Sequence, residues 1–237
     1  MKKYIALLIC SSCFIFNANS QTDRNAFKVN LSGLIIRNIS VQYERQLGLK
    51  TSVALAFRDM PYGKISFAKQ VANIVDNPFV LYNNIQIGSV AVTPEFRFYL
   101  SNKGAMHGFY IGTFVSYSNY KCDLPINTNR IYNFTGNVKT FTGGLQIGSQ
   151  FKLSENFFLD WWIIGPNYGG ESGNLVYIGG LSYNEKEAIK FALEKIKTDV
   201  PFSIIKSYSV DDNGAVINLK GPWAGLRGLG INLAYHF

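Results

Sequence analysis

Apolar and polar residues alternate with period two along most of this chain. Residues 26–36 (AFKVNLSGLII) put Phe27, Val29, Leu31 and Ile35 on one face and Lys28, Asn30 and Ser32 on the other. Residues 38–46 (NISVQYERQ) set Ile39, Val41 and Tyr43 against Ser40, Gln42 and Glu44. Residues 90–100 (VAVTPEFRFYL) set Val90, Val92, Phe96, Phe98 and Leu100 against Thr93, Glu95, Arg97 and Tyr99. The same rhythm recurs at 52–58, 108–120, 138–153, 157–164 and 229–237. Such alternation predicts strands with one apolar and one polar face, here eight of them. Their lengths suit a tilted membrane crossing, which takes about 9–11 residues.

The polar face decides what the strands build. A soluble sandwich turns its polar face to water and stocks it with charge. Here that face is mostly Gly, Ser, Thr, Gln and Asn with a few charges, while the other is aromatic and aliphatic throughout. The expected fold is therefore all-β, a closed antiparallel transmembrane β-barrel with its apolar face to lipid. Connection lengths agree. Short ones near 47–51, 101–107 and 154–156 alternate with long ones at 61–84, 122–137 and 165–222; a tight turn near Arg37 breaks the rule. Both termini then lie at the short-turn end.

The last long connection holds structure of its own. Residues 184–197 (NEKEAIKFALEKIK) open on a capping-box spacing, Asn184 to Glu187, and repeat Ile189, Ala192, Leu193 and Ile196 at helical intervals. An amphipathic helix there packs on the barrel mouth or in the lumen, or else lies in the headgroup layer. After it, apolar runs flank a DDNG turn at 211–214, a hairpin signal. If that hairpin crosses the membrane, the barrel has ten strands instead of eight.

Composition adds the setting. Residues 1–20 carry Lys2 and Lys3, an apolar run and a small-residue ending, the layout of a signal peptide cut after Ser20. Lipidation is disfavoured because Ile9 precedes Cys10 and no leucine stands three positions before Cys13. Removal of the segment leaves Cys122 as the one cysteine, so no internal disulfide forms. Residues 21–237 then make one barrel domain with a helix-containing insertion at about 166–222. Only 16% of residues are charged, against about 25% in ordinary soluble domains. The net charge of +8 is scattered rather than clustered, which argues against a nucleic-acid surface.

Candidate chemistry is sparse. The two histidines, His107 and His236, both fall at the short-turn end, and no metal, phosphate-loop or nucleophile motif is present. No catalytic, cofactor-binding or metal residue is assigned. The inward charges Glu44, Glu95, Arg97 and Asp160 form either a polar network filling the lumen or a selectivity ring. The first is favoured, since eight strands enclose little more than their own side chains. Arg227, counted on the outward face of the last strand, is expected at the outer rim against a lipid headgroup. Tyr43, Tyr99, Tyr117, Trp161, Trp162, Trp223 and Tyr235 are read as interfacial girdles.

The runs NISVQYERQLG, TPEFRFYLS with GFYIGTFVSY, and GPWAGLRGLGINLAYHF resemble an uncharacterised outer-membrane β-barrel family of Gram-negative bacteria, a domain of unknown function. More loosely, the chain is similar to small OmpX- and OmpA-type barrels. The resemblance covers roughly residues 26–237. It implies a terminal strand recognised by the barrel assembly machinery, carried here by Leu233, Tyr235 and Phe237, and it supplies no catalytic residue. The expectation is a non-enzymatic protein of the cell outer membrane, in contact with outer-membrane lipid and lipopolysaccharide. It would act structurally or through its outer loops, with a plugged lumen. A narrow solute channel and an accessory subunit of a larger outer-membrane complex are the alternatives.

Overall fold

The structure is a computed structural model that describes residues 24–66, 68–75, 77–199 and 205–237; the expected signal peptide lies outside them. In chain order the elements are β1 (Asn25–Asn30), β2 (Ile39–Gln46), β3 (Thr51–Lys64), α1 (Ala68–Val75), β4 (Gln86–Tyr99), β5 (Gly108–Asn127) and β6 (Ile131–Lys152). Then come β7 (Phe157–Ile178), α2 (Tyr183–Asp199), β8 (Ile205–Asp211) and β9 (Gly214–His236). Strands β1 to β7 pair antiparallel in sequence, β9 follows β7, and β9 returns to β1 through Ala26↔His236 to Asn30↔Asn232. Eight strands thus form a ring. β8 stands outside it, paired to β9 along Gly214–Leu219, so the hairpin at residues 211–214 adds a side strand and not two more crossings.

Alternation does the sorting. In β4, Val90, Val92, Phe96 and Phe98 are exposed while Ala91, Glu95, Arg97 and Tyr99 are buried. Around the ring, Phe27, Leu55, Phe57, Phe109, Ile111, Phe141, Leu145, Ile147, Ile231 and Tyr235 make an outward apolar belt. Exposed apolar surface on this scale marks contact with something other than water. No helix among the described residues is long and apolar enough to cross a membrane, which says nothing of strands.

The strands differ from expectation in length. β1 stops at Asn30, where Asn30 Oδ1 accepts the Gly33 N–H at 2.5 Å and the Ser32 hydroxyl at 3.1 Å. A side chain that caps the backbone ahead of it turns the strand aside, here into a 3-10 turn at Ser32–Ile36. By contrast, most of the expected long loops are continued strand. β5 and β6 pair as far as Asn127↔Ile131, and β7 and β9 as far as Ile178↔Gly214. The insertion placed at about 166–222 therefore shrinks to the segment between β7 and β9 that carries α2 and β8. Alternation is diluted by Gly, Asn and Thr in these extensions, yet cross-strand bonds need no side chain.

The extensions have a core of their own. Their inward residues Ile126, Tyr132, Phe134, Leu175 and Ile217 are buried against Ile189, Ala192, Leu193 and Ile196 of α2. The helix therefore packs over the mouth, on the concave face of the strands, and not in a headgroup layer. Its cap is two residues earlier than expected. Ser182 N–H and hydroxyl both donate to Glu185 Oε2, and the Glu185 N–H returns to Ser182 Oγ. Asn184 is already inside the helix.

Cys122 packs at the edge of this core. Burial, with the Asp123 charge beside it, pushes its thiol up to about 11. The thiolate is the reactive form, so a raised value lowers reactivity at neutral pH. Maleimide labelling at pH 8 should be roughly 100-fold slower than for an ordinary cysteine and should accelerate up to pH 10. A rate matching free cysteine at pH 8 would show the thiol is not held in this core.

Candidate functional site

Six charges meet in the lumen, drawn from inward positions of five strands. Lys28 Nζ contacts Glu44 and lies 2.6 Å from Asp160 Oδ2. Arg97 Nη1 reaches Glu44 Oε2 at 3.0 Å and Asp160 Oδ2 at 2.9 Å, and Arg97 Nη2 reaches Glu95 Oε2 at 2.7 Å. Arg227 completes the set with an ion pair to Glu95. Three cations thus face three carboxylates.

Neutral groups fill the remaining valences. Tyr99 OH and Ser52 Oγ donate to Glu44, Tyr110 OH donates to Asp160 Oδ1 at 2.9 Å, and Gln150 Nε2 donates to Glu44 Oε2 at 3.0 Å. Gln42 bridges Arg97 and Glu95. With Ser52 on β3, Tyr110 on β5 and Gln150 on β6, every strand of the ring contributes a side chain. Tight packing permits this. A Cβ on Gly148 would sit 2.3 Å from Tyr110 OH, so glycine is required there. Buried charges are costly alone and tolerable when fully paired, which is the arrangement here.

Glu44, Glu95, Arg97 and Asp160, singled out from the sequence, are all brought together. Lys28 was legible as inward from the phase of Phe27 and Val29 but was not singled out. Arg227 is corrected. Counted back from Phe237 it faces lipid; in the structure it points inward, with its guanidinium carbon 3.8 Å from the Trp162 ring centre. The reason is a pair of bulges at one level. β7 shifts register between Ile147↔Ile164 and Gly148↔Trp162, and Leu229 of β9 adopts a left-handed φ of 53°. One extra residue exchanges the faces beyond it. The glycines flanking it, Gly225, Gly228 and Gly230, were the available signal.

Tyr99 and Trp162 are also lumen residues and not girdle anchors, both buried. Trp223 turns inward against Tyr120, their ring centres 5.6 Å apart. Toward the termini the turn after β4 folds back beneath the network, burying Ala105 and Met106. His236 stacks on Phe158 at 3.7 Å there, with His107 edge-on to the same ring. Among the described residues no group of three His, Cys, Asp or Glu side chains is placed to hold a metal ion.

Between the network and the helix-capped core lies a cavity of about 460 Å³. Its walls include Asn38, Arg58, Ser118, Thr140 and Asn167, with Phe114, Tyr120, Trp162 and Trp223 as aromatic surfaces. Arg58 Nη2 makes only long contacts, 3.4 Å to Ser118 Oγ and 3.4 Å to Tyr120 OH.

The family described as "Protein of unknown function (DUF3575)" matches residues 5–169. The chain belongs to the DUF3575 family. No curated protein matches it. Among solved structures, it is similar to the translocator domain of autotransporter NalP from Neisseria meningitidis, at 10% identity and a TM-score of 0.34. That alignment covers 100% of this chain and 95% of the other. Within this DUF3575 chain the family match takes in Lys28, Glu44, Glu95, Arg97, Asp160 and Trp162. Arg227, α2 and the whole of β9 lie beyond it.

Proposed function

We propose that this chain is an integral outer-membrane barrel, closed across its lumen, that works as a binding or structural element and not as an enzyme. The observation that carries the reading is the balanced network of Lys28, Arg97 and Arg227 with Glu44, Glu95 and Asp160. It touches every strand of the ring and leaves no charge unpaired. The apolar belt supports the membrane setting. The helix-capped extensions, on the side away from the termini, are the surface offered to partners. Both histidines lie on the opposite side of the network from the cavity, which supports the absence of histidine-assisted chemistry there.

The cavity favours one alternative, a narrow channel. Planar-bilayer recording separates the two. The closed reading expects no reproducible conductance steps from the purified protein; steady unitary steps would overturn it.

Leu233, Tyr235 and Phe237 point outward at the free end of β9, and Phe237 N–H bonds Asn25 O at 2.9 Å. We assign them the assembly signal and contact with membrane lipid and lipopolysaccharide. Deleting Phe237 removes one edge residue from a long ladder, so formed barrels should keep their urea midpoint. The fraction reaching the heat-modifiable state in cells should fall several-fold. Equal yields of both forms would remove the signal from these residues.

A further inference from the structure

Among the described residues, the strand ring is complete near the termini and open on one side above them. The free edge of β9 is paired to β1 up to Asn232 and to β8 from Leu219 onward. Between them, along residues 220–230, no strand among the described residues covers that edge. Continuing the β1 register would set residue 36 opposite residue 226, but the Asn30 turn diverts the chain first. The cavity touches outward-facing Ala224, Leu226 and Leu229 as well as inward-facing Gly225 and Arg227, so it opens past this edge. The opposite side of the opening is the Ser32–Ile36 turn.

The two sides of this slot are apolar and bare. Leu34 is 51% exposed, Ile35 80%, Leu226 69% and Leu229 75%. The interior is the reverse. Arg58 lacks a carboxylate partner among the described residues, and its Nε is buried without an acceptor. Trp162 is 6% exposed, and its indole N–H is also without an acceptor. The other cavity arginine, Arg227, is already neutralised by Glu95. An uncompensated guanidinium with unfilled donors, half-buried in a cavity wall, is a site for an anion.

We propose that the cavity binds the phosphate headgroup of an anionic phospholipid-like amphiphile. The headgroup enters sideways through the slot, while the acyl chains stay outside against Leu34, Ile35, Leu226 and Leu229. Arg58 is the phosphate ligand, and the Trp162 indole donates to the same group. Asn38 Oδ1, a buried acceptor with no donor, takes a headgroup hydroxyl or amine. A cavity of 460 Å³ has room for such a headgroup but not for its chains. The proposal rests on the membrane-spanning reading above, which is checked first and separately: a protein that stays monodisperse without detergent fails there.

The test is calorimetric titration of the full barrel in nonionic detergent with short-chain dihexanoyl phosphatidylglycerol, and separately with glycerol 3-phosphate. The lipid should bind at least about tenfold more tightly than glycerol 3-phosphate, because only it uses the apolar slot. Arg58→Gln should weaken the lipid by about tenfold or more, while Lys50→Gln, an exposed cation near the termini, should not. No lipid binding, or unchanged binding by R58Q, overturns the proposal. Equal affinity for glycerol 3-phosphate overturns the lateral route and leaves a free-anion cavity. Should R58Q fail to fold, Ala224→Trp narrows the slot instead; wild-type lipid affinity in that variant counts against the proposal.

Discussion

Replacing Arg97 with leucine is expected to cost the barrel about 3–5 kcal/mol of stability, the range for removing one partner from a buried ionic cluster. The upper part of that range applies, because Arg97 pairs with three carboxylates at once. Without it Glu44, Glu95 and Asp160 share only Lys28 and Arg227. The Arg97→Lys variant keeps the charge but loses the planar fork that reaches Glu44, Asp160 and Glu95 together, and should fall between. Urea unfolding in micelles, followed by tryptophan fluorescence, gives the comparison. A midpoint for Arg97→Leu equal to wild type would mean that water or rearrangement compensates the carboxylates, and the network would lose its structural role.

Introducing Asp at Leu193 should have a comparably large effect, confined to one half of the molecule. Leu193 is fully buried between α2 and the concave faces of β6, β7 and β9. Truncating such a side chain to alanine costs about 2–5 kcal/mol, and a carboxylate adds its own desolvation. The helix should leave the mouth. Trypsin would then cut at Lys186, Lys190 and Lys195, which the docked helix protects. The ring is held by a separate network, so Leu193→Asp should still run as a heat-modifiable band. Loss of the band together with the helix would show that the two cores fold as one unit, and unchanged protection would show that the helix is not held by this face.

Both predictions fall on features that were legible in the sequence. The inward phase of Glu44, Glu95, Arg97 and Asp160 could be read from their own strands: Glu95, Arg97 and Asp160 each sit between outward apolar residues at i−1 and i+1, and Glu44 follows the outward run Ile39, Val41 and Tyr43. The apolar stripe of α2 was equally local. Arg227 was not. Its phase depends on an extra residue near Leu229, and a single inserted residue leaves the alternation on either side intact while reversing its meaning. Lys28 shows a different shortfall. Its face was clear, but its two acidic partners lie on β2 and β7, 16 and 132 residues away.

The sequence by itself determined eight alternating stretches, the outward-facing and inward-facing residues within them, and the apolar face of the helix; whether the hairpin at residues 211–214 added two more crossings was left to the structure. Those properties follow from periodicity, which each segment carries within itself. Only the tertiary structure decided that β5, β6, β7 and β9 run on past the belt, that the helix docks over the mouth, and that Arg227 turns inward. It alone opened the slot beside β9. Each of these depends on which backbone edge finds a partner, and that is settled between strands distant in the chain. The Asn30 side chain withdraws β1 from an edge that β9, some 200 residues later, goes on to present.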